Sequence, residues 1–422
     1  MKLVIPGGSG QIGASLARAW SSQGHDVVVV SRSAPNFVAR HVAWDARTLG
    51  GWESELDGAD AVINLAGRSV NCRYTPENRR EMLASRVDST RVVGEAIARC
   101  AKPPRVWLQM STATIYAHRY DAANDEATGV IGGDEVDEPD SWRFSIEVAR
   151  AWERTLDEAV VPKTRKLALR TAMVMSPDPG GVFDTLRGLV RRGLGGKAGD
   201  GRQYVSWIHE RDFVRALDFL IAHDELGGAV NLASPNPLPN AEFMRALREA
   251  AGVRIGLPAT RWMIELGARF MGTESELVLK SRRVVPGRLL AAGFTFVQPH
   301  WPAVAWELCG RRTDVELRMP QDPRTRRARE LWSRLQDTPF PELGGTVGDF
   351  PLYHSLHAGQ MSRACNGEQF AAHEVIGPDL GTLEFIAELR RKPALSEDER
   401  AFLECFQLME KGRALLAGEA AP

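Results

Sequence analysis

The chain has 422 residues, a formal net charge of −1 and 44% hydrophobic residues. Its length allows two or three domains with a large buried core. A net charge near zero gives no bulk attraction to nucleic acid or to an anionic membrane surface, and no stretch approaches the roughly 18 apolar residues of a membrane span. We therefore expect neither a nucleic-acid partner nor a membrane partner.

The cysteines indicate the redox environment. Five cysteines are scattered along the chain without a C-x-x-C pair. Free thiols in a reducing cytosol agree with this usage better than a disulfide framework or a zinc site, so we predict no bound metal. The apolar run Leu3–Ile5 is too short for a secretory signal. We expect a cytoplasmic protein.

The first 175 residues alternate between apolar strands and helices. Near-continuous Val, Ile and Leu strands separated by helices are typical of a parallel sheet covered on both faces. This pattern predicts an α/β fold, a doubly wound sheet of the Rossmann type. The predicted strands are Leu3–Ile5, Asp26–Val30, Ala61–Leu65, Val106–Met110 and Lys166–Met175, and the predicted helices are Ile12–Ser22, Ser85–Cys100 and Arg143–Ala159.

The alternation loosens beyond Met175. We divide the chain into a nucleotide-binding domain at 1–175 with elements returning from 205–235, a smaller C-terminal substrate lobe at 176–308, and a linker with a helical appendage at 309–422. The acidic segment 121–140, which has no Lys or Arg, predicts a long surface loop. Further predicted elements are the helices Phe183–Arg192, Phe213–His223, Ala241–Ala251, Arg261–Phe270 and Ser275–Leu279 and the strand Ala229–Ala233.

The first predicted strand runs into the glycine-rich sequence PGGSGQIG. Gly7 allows the tight turn, Gly10 lets the backbone approach a pyrophosphate, and Gly13 lets helix and strand pack closely. A helix that begins around Gln11 and Ile12 directs its N-terminus at the anion. The motif predicts dinucleotide binding, and a purely structural glycine turn is the alternative.

The end of the second predicted strand bears on which dinucleotide is bound. Ser31 and Arg32 stand where a fold that prefers NAD usually carries Asp or Glu. A hydroxyl and a guanidinium suit a 2′-phosphate, so NADP(H) is favoured over NAD(H); a solvated surface arginine is the alternative. Asp45, after a third predicted strand, is expected to flank the adenine. Gly67 and its small neighbours end the fourth strand and allow close backbone approach to the cofactor.

Several long segments carry a resemblance to a known family. They include NCRYTPENRREMLASRVDSTRVVGEAI, GLGGKAGDGRQYVSWIHERDF and LVLKSRRVVPGRLLAAGFTF. The chain resembles the extended short-chain dehydrogenase/reductase superfamily, in an atypical branch of epimerase-family proteins also labelled sugar-nucleotide epimerases or cell-division inhibitors. The resemblance covers residues 1–308, including a short C-terminal family domain of unassigned role at 257–308. It does not reach the last hundred or so residues.

The resemblance implies a Rossmann-type domain, a smaller substrate lobe and bound NADP(H). It also implies a homodimer formed by the helices Ser85–Cys100 and Arg143–Ala159. Arg86 has a separate rationale as a long cation that reaches nucleotide phosphates, with a solvated surface arginine as the alternative. The implied cofactor contacts are the glycine loop, Ser31, Arg32, Leu65, Ala66, Glu81, Arg86 and Val174.

The predicted helix Arg143–Ala159 lacks two residues that the superfamily normally uses. In the usual mechanism a tyrosine exchanges the substrate proton, a lysine four positions on lowers its pKa, and a Ser or Thr polarises the carbonyl. The segment 142–153 reads WRFSIEVARAWE and contains neither a tyrosine nor a lysine. Ser111 and Thr112 resemble the polarising motif, and hydroxyls that only satisfy backbone groups are the alternative.

Three replacements for the proton donor remain open. Tyr116 lies close to the serine motif. His209 precedes Asp212, and a histidine beside a carboxylate performs acid–base chemistry near neutral pH; a structural histidine is the alternative. Glu147 and Arg150 lie on the helix itself, where a surface charge is the simpler interpretation.

The segment Gly193–Gln203 is glycine-rich and holds Lys197 and Arg202. In extended members of the superfamily the matching region lines the substrate cleft. Backbone amides and two cations there would bind the phosphate or carboxylate of an anionic small molecule. A flexible surface loop is the alternative.

Three functions remain open at this point. The first is an NADP(H)-dependent oxidoreductase or epimerase with an unknown, polar or anionic small-molecule substrate. The second is a non-catalytic NADP(H)-binding sensor or scaffold whose C-terminal appendage binds a partner. The third, nucleic-acid binding through Arg311–Arg334, has the least support because four acidic residues are interspersed there.

Overall fold

A computed structural model describes residues 1–135, 139–270, 272–309, 331 and 386–417. Two compact units are distinguished. The first contains Met1–Phe294 and Gln298–Cys309, and the second contains Thr295–Val297 and the described residues after Cys309. Apart from Leu331, the stretch Arg311–Arg334 lies outside the described residues. The predicted domain boundaries at 175 and 308 stay predictions.

The first unit is built on a seven-stranded sheet with the order β3-β2-β1-β4-β5-β6-β10. Every neighbouring pair in it is parallel. Short strands pair outside it, β7 with β9 and β8 with β11. The strands are β1 Lys2–Pro6, β2 Asp26–Ser31, β3 Arg40–Ala43, β4 Ala61–Asn64, β5 Val106–Thr112, β6 Arg165–Thr171, β7 Met173–Met175, β8 Tyr204–Val205, β9 Trp207–His209, β10 Gly228–Leu232 and β11 Leu238–Pro239.

The helices cover the sheet and continue beyond it. Helices α1, α2 and α3 pack against strands β2, β4 and β5 respectively. None of the helices in the described ranges is long and apolar enough to cross a bilayer. The helices are α1 Gln11–Ser22, α2 Pro76–Arg99, α3 Asp140–Glu158, α4 Val182–Arg191, α5 Glu210–Ala222, α6 Asn240–Ala251, α7 Arg261–Phe270, α8 Glu276–Leu279, α9 Gly287–Ala291, α10 Trp301–Leu308 and α11 Glu397–Ala417.

The strand order confirms the predicted Rossmann-type sheet and locates its binding edge. The chain runs from β1 outward to β3 and then returns to β4 on the other side of β1. In open α/β sheets ligands bind at the carboxyl ends of the strands beside such a reversal. The residues that follow β1 and β4 therefore border the cofactor crevice.

Two predicted elements have different bounds in the structure. Helix α2 begins at Pro76 rather than at Ser85, because the Thr75 hydroxyl accepts a hydrogen bond from the Asn78 amide at 3.3 Å and proline suits the first helical position. The single strand predicted over Lys166–Met175 is interrupted at Ala172, whose amide donates to Leu232 O at 3.0 Å. The chain leaves the main sheet there.

The prediction of a solvated loop over 121–140 is wrong for part of that segment. Asn124 is fully buried, its amide donates to Arg283 O at 2.7 Å, and its carbonyl accepts from the Val285 amide at 3.0 Å. The Glu126 carboxylate accepts from the backbone amides of Asn231 and Arg288 at 2.7 and 3.1 Å. The segment therefore ties β10 to the C-terminal part of the first unit.

The second unit contains the predicted C-terminal helix. Helix α11 begins with a reciprocal pair of hydrogen bonds between Ser396 and Glu399. The Glu399 amide donates to Ser396 Oγ at 3.2 Å, and the Ser396 amide donates to Glu399 Oε2 at 3.0 Å. This capping box satisfies two amides that would lack helical partners.

Candidate cofactor and substrate site

Two glycines of the glycine loop are required by the protein's own packing. Gly7 has φ +74°, and a Cβ on it would lie 2.4 Å from the backbone of Ala66. A Cβ on Gly13 would lie 1.9 Å from the Gly8 carbonyl oxygen. The loop, the end of β4 and the start of α1 therefore approach one another more closely than any side chain permits.

Gly10, the remaining glycine of the three named in the motif, faces open space instead. Gly10 precedes α1 with φ −87°, a conformation open to any residue, and a Cβ on it would meet no protein atom within 4 Å. The first-turn amides of α1 have no carbonyl partner within the helix. Gly10 therefore leaves room for an anion at these amides, which is where a pyrophosphate binds in such folds.

A buried amide group stands at the same helix terminus. Gln11 Nε2 is buried and has no hydrogen-bond partner among the described residues. The Gln11 side chain packs over Gly181, where an added Cβ would lie 2.3 Å from it. An unsatisfied buried donor is costly, and it adds to the capacity of this end of α1 to bind a negatively charged group. Ile12 is half-buried in the same turn.

The residues predicted to select NADP(H) lie at the end of β2. Ser31 is buried and donates its hydroxyl to Ser33 O at 2.9 Å, so it shapes the turn. Arg32 is exposed and has no hydrogen bond or ion pair with the described residues. Its guanidinium is therefore available to a phosphate, and its pairing with a 2′-phosphate stays a prediction.

Asp45 has a structural role in the turn after β3. Its Oδ1 accepts from the amides of Arg47 and Thr48 at 2.8 and 2.9 Å, and its Oδ2 accepts from the Thr48 hydroxyl at 2.7 Å. The hydrogen bonds from Thr48 and Arg47 lower the pKa of Asp45. These hydrogen bonds satisfy both oxygens of the Asp45 carboxylate within the protein. The position of Asp45 beside the adenine stays a prediction.

The residues after β4 are held beside the glycine loop. The Leu65 amide donates to Pro6 O at 2.8 Å, and the Ala66 amide donates to Asn64 Oδ1 at 3.0 Å. The buried Asn64 amide group donates in turn to Gln109 Oε1 at 2.9 Å. The hydrogen bond between the side chains of Asn64 on β4 and Gln109 on β5 therefore holds this edge of the crevice in place. Val174 lies in β7, where it pairs with Ile208 of β9.

Arg86 is buried, so the alternative interpretation of this residue as a solvated surface arginine is wrong. It is 8% exposed, and its guanidinium donates to Met82 O at 2.9 Å and to Arg68 O at 3.0 Å. Its Cζ lies 4.9 Å from the centre of the Trp152 ring. Burial lowers the pKa of Arg86 to about 10, so the group stays charged at neutral pH.

No carboxylate of the described residues pairs with Arg86. A buried charge without a counter-ion is costly, and Arg86 lies against Gly67, where an added Cβ would be 3.4 Å from Arg86 Cγ. An anion bound in the crevice would supply that counter-ion. Glu81, on the same helix, is exposed and forms an ion pair with Arg68.

Ser111, the predicted polarising hydroxyl, belongs to a buried ion-pair network. Its Oγ donates to Glu153 Oε1 at 2.6 Å. Arg170 donates to both oxygens of the same carboxylate, at 2.9 and 2.8 Å. Thr112 accepts from the Thr114 amide at 3.2 Å and is half-buried. Of the two predicted hydroxyls, only that of Thr112 has no hydrogen-bond acceptor among the described residues.

Tyr116 belongs to the same network. It is buried, its hydroxyl donates to Asn231 Oδ1 at 2.9 Å, and Arg170 Nη1 donates to its oxygen at 3.0 Å. Burial raises the pKa of Tyr116, and the neighbouring Arg170 opposes part of that effect. The hydroxyl is therefore satisfied inside the core, which counts against Tyr116 as the proton donor.

His209 is buried at the start of α5. Its Nδ1 accepts from the Arg211 amide at 3.1 Å, so it caps the helix, and its Nε2 lies 3.7 Å from Glu307 Oε1. Burial, with a contribution from the charge of Arg211, lowers the pKa of His209 to about 3. This lowered pKa and the capping role count against His209 as the general acid.

The glycine-rich segment uses several of its backbone amides internally. The Gly196, Gly199 and Gly201 amides donate to Leu257, Ala259 and Ala198 carbonyls at 3.2, 2.8 and 2.9 Å. They are therefore not free to bind an anion. Lys197 and Arg202 remain exposed.

A cavity of about 270 Å³ lies beside the start of α3, α7 and α8. Arg73, Arg261 and Arg269 line it together with two glutamates. Arg73 and Arg261 pair with Glu274 and Glu265 at 3.3 and 3.1 Å. The Arg269 side chain makes no hydrogen bond or ion pair with the described residues, so the lining carries a surplus positive charge.

Comparisons with known proteins agree with this geometry. Residues 3–233 match the NAD dependent epimerase/dehydratase family, and residues 259–305 match a domain of unknown function, DUF1731. The chain is 30% identical over 315 residues to the Epimerase family protein SDR39U1 of Bos taurus, covering 73% of this chain and 99% of that protein.

The chain belongs to the NAD dependent epimerase/dehydratase family. It is also 28% identical to the Epimerase family protein SA0724 of Staphylococcus aureus, over 69% of this chain and 94% of that protein. The crystal structure of human epimerase family protein SDR39U1 with NADPH has a TM-score of 0.64 and 26% identity, covering 74% of this chain and all of that one. The resemblance found in the sequence is confirmed.

The sequence of this family member gave no direct sign of its buried charges. Glu153 and Arg170 were not predicted as partners, although Arg170 interrupts an otherwise apolar strand and a charge in such a position needs a buried counter-ion. The contacts of the Ser145 hydroxyl with Tyr74 and Glu276 were also not predicted. These residues lie far apart in the sequence.

We predict that breaking the Glu153–Arg170 pair destabilises this epimerase-family chain. Arg170→Met leaves a carboxylate that is only 13% exposed without its counter-ion, which costs about 3 kcal/mol of unfolding free energy. Arg245→Met is the control, because its pair with Glu249 is solvent-exposed at 3.9 Å and is worth less than about 1 kcal/mol. Chemical denaturation measures both, and equal losses would contradict the prediction.

His209 gives a pH-dependent prediction. Its pKa is about 3 in the folded chain against 6.5 as the ordinary value, so below pH 6.5 the unfolded chain binds a proton that the folded chain does not. Stability is therefore lost as the pH falls from 6.5 towards 3, by up to about 1.4 kcal/mol per pH unit. Asn is also a good helix cap, so His209→Asn should flatten this slope between pH 6 and 4. Exposed His300→Asn is the control, and an unchanged slope in His209→Asn would contradict the assignment.

Proposed function

We propose that the protein is an NADP(H)-binding, epimerase-like oxidoreductase that acts on a small anionic molecule. The observation that carries this proposal is the open space at Gly10, in front of the free amides of α1, together with unpaired Arg32 past β2. The related human protein, whose structure contains NADPH, supports the choice of NADP(H). The buried cation of Arg86 also favours a bound anion.

The chain's own residues divide the work of holding the cofactor. Gly7 and Gly13 allow the turn, Gly10 leaves room for the pyrophosphate, and Arg32 would pair with the 2′-phosphate. When bound, NADP(H) supplies or accepts a hydride and leaves the accompanying proton to the protein. Thr112 is the hydroxyl available to polarise a substrate carbonyl, because Ser111 donates to Glu153.

The cavity beside α7 supports an anionic substrate. The cavity is lined by three arginines and two glutamates, and the Arg269 side chain has no hydrogen bond or ion pair with the described residues. Guanidinium groups bind carboxylate and phosphate with directed hydrogen bonds. We therefore place the anionic part of the substrate in this cavity.

A non-catalytic sensor or scaffold is the second candidate. It is favoured by the loss of Ser111 and Tyr116 to a buried network, which removes two expected participants in catalysis. The helical second unit would then bind a partner. We also propose the homodimer that the resemblance implies, because α2 and α3 pack side by side and so provide a two-helix face.

Gly10→Val should abolish coenzyme binding without harming the fold. The new side chain enters space that no protein atom occupies, so the apo chain should unfold at the wild-type denaturant concentration, while NADPH affinity falls at least about tenfold. Gly13→Ala is the contrasting variant, because its methyl group collides with Gly8 and should lower stability. Isothermal calorimetry and denaturation separate the two. Wild-type NADPH binding by Gly10→Val would refute the placement of the pyrophosphate.

Arg32→Ala tests the choice of coenzyme. Loss of a charge-assisted hydrogen bond should weaken NADPH binding by about tenfold to a hundredfold and leave NADH binding unchanged. Arg245→Ala, an exposed arginine on α6, is the control for a general change in charge. Calorimetry with both coenzymes reads out the difference. No uptake of either coenzyme by folded wild-type protein would sink the proposed function.

Turnover measurements distinguish the enzyme hypothesis from the sensor hypothesis. NADPH oxidation is followed across aldehydes, ketones, 2-oxo acids and nucleotide sugars. Oxidation with any of them supports the enzyme, and tight NADPH binding with none of them supports the sensor.

A further inference from the structure

A tyrosine from another element packs against α3, the helix that lacks the superfamily's tyrosine and lysine. Phe144 and Val148 are both buried on α3. Tyr74, from the loop before α2, packs against them. The rings of Tyr74 and Phe144 meet edge to face, with centroids 5.5 Å apart. A phenol is therefore present at this face of α3, although α3 does not supply it.

The Tyr74 hydroxyl begins a chain of hydrogen bonds. It lies 3.3 Å from Ser145 Oγ, and Ser145 Oγ lies 2.5 Å from Glu276 Oε2. Glu276 is only 1% exposed, whereas Ser145 is half-buried. Tyr74 is 8% exposed, so solvent reaches this set of hydrogen bonds at Ser145, with the carboxylate enclosed behind.

Arg282 connects this chain to the end of β5. Its Nη2 lies 3.4 Å from Glu276 Oε1, and its Nε donates to Thr114 Oγ1 at 3.2 Å. The Thr114 amide in turn donates to Thr112 Oγ1. The Tyr74 chain is thus linked to the hydroxyl that is available for polarising a carbonyl.

The cavity of about 270 Å³ adjoins the same chain. Arg73 and Ser275, two of its lining residues, are the direct sequence neighbours of Tyr74 and Glu276. The Tyr74 amide donates to Glu274 Oε1 at 2.9 Å, and Glu274 also lines the cavity. An anionic group bound there would lie beside the loop that carries Tyr74.

We propose that Tyr74 is the catalytic proton donor that replaces the missing tyrosine, and that Ser145 and Glu276 supply its proton. This proposal rests on the proposed function as an NADP(H)-dependent oxidoreductase. Tyr74 is the catalytic residue because its hydroxyl meets the substrate oxygen. Ser145 and Glu276 are positioning residues that act through it.

The proton step balances with the hydride transferred to the carbonyl carbon. The Tyr74 O–H bond breaks, and the proton bonds to the substrate oxygen that has received the electron pair. The phenolate then takes the Ser145 proton, and Ser145 takes the proton of Glu276. The Glu276 carboxylate then recovers a proton through Ser145, which is half-buried and reaches solvent, so one solvent proton is consumed for each carbonyl reduced.

The charges around the chain agree with this direction of proton flow. Burial and the nearby Glu276 raise the pKa of Tyr74 to about 12, so the phenol holds its proton at neutral pH. Burial raises the pKa of Glu276, against the opposing charges of Arg282 and Lys280. When Glu276 is protonated it donates to Ser145, Ser145 donates to Tyr74, and the Tyr74 proton is free for the substrate.

The test compares Tyr74 with Tyr116, a matched buried tyrosine whose hydroxyl is also hydrogen-bonded. The full chain, which contains five tyrosines, is labelled with ¹³Cζ-tyrosine, and the variants Tyr74→Phe and Tyr116→Phe assign the two resonances. NADP⁺ is then added to saturation. We expect the Tyr74 resonance to move, because the proposed role requires the cationic nicotinamide to bind close to the phenol, and the Tyr116 resonance to move less. Glu276→Gln should also shift the Tyr74 resonance.

Turnover provides the second readout. Tyr74→Phe should bind NADPH with wild-type affinity by calorimetry and lose about 10²-fold to 10⁴-fold in kcat on any carbonyl compound that the wild type reduces, whereas Tyr116→Phe should keep its kcat. Ser145→Ala should lose part of the rate.

The outcomes distinguish this inference from the proposed function. A Tyr74 resonance that NADP⁺ does not move, or wild-type kcat in Tyr74→Phe, overturns the role of Tyr74 while NADP(H) binding stands. A merely structural hydroxyl would lower the denaturation midpoint of Tyr74→Phe without any response to NADP⁺. Absence of coenzyme binding in the wild type would instead remove the proposed function itself. If the wild type reduces none of the carbonyl compounds, the response of the Tyr74 resonance to NADP⁺ alone decides whether Tyr74 has the proposed role.

Discussion

The close approach of the glycine loop to the end of β4 is the constraint on which the rest of the site depends. Gly7 and Gly13 allow contacts with Ala66 and Gly8 that any Cβ would prevent, so β1, β4 and α1 meet at one point. That meeting point directs the first-turn amides of α1 into the crevice at the reversal of strand order. It also brings the loop after β4 to the same edge. Gly67 of that loop lies against Arg86. The cofactor site is therefore a consequence of backbone packing before any side chain contributes to it.

Two enclosed carboxylates organise the chemistry around this crevice. Glu153 is held by Arg170 and Ser111, and Glu276 is held by Arg282 and Ser145. The first network encloses Ser111 and Tyr116, two residues that the sequence suggested for catalysis, whereas the second ends at Tyr74 beside α3. Since an enclosed carboxylate needs a counter-ion and hydrogen-bond donors, each network fixes the positions of several side chains at once.

The local parts of this structure could be predicted from the sequence, and the long-range pairs could not. Valine-rich β2 and the glycine loop follow from residue type and spacing, because the physical reasons act within a few residues. The start of α2 at Pro76 was missed because its first turns are polar and lack an apolar period. Glu276 and Ser145 lie more than a hundred residues apart, so only the folded chain reveals their contact. Arg86 was placed at the cofactor by resemblance, but its burial without a carboxylate required the structure.

The position of Glu276 has a further consequence for how this family member is assembled. Glu276 lies within residues 259–305, which match a domain model separate from the one that matches 3–233. Its carboxylate nevertheless satisfies a helix of the nucleotide-binding portion, and Asn124 and Asn231 make hydrogen bonds with the same C-terminal segment. The two modules share one interior, so neither is a freely exchangeable part. Recombining them between relatives would succeed only where Ser145, Glu276 and Arg282 travel together.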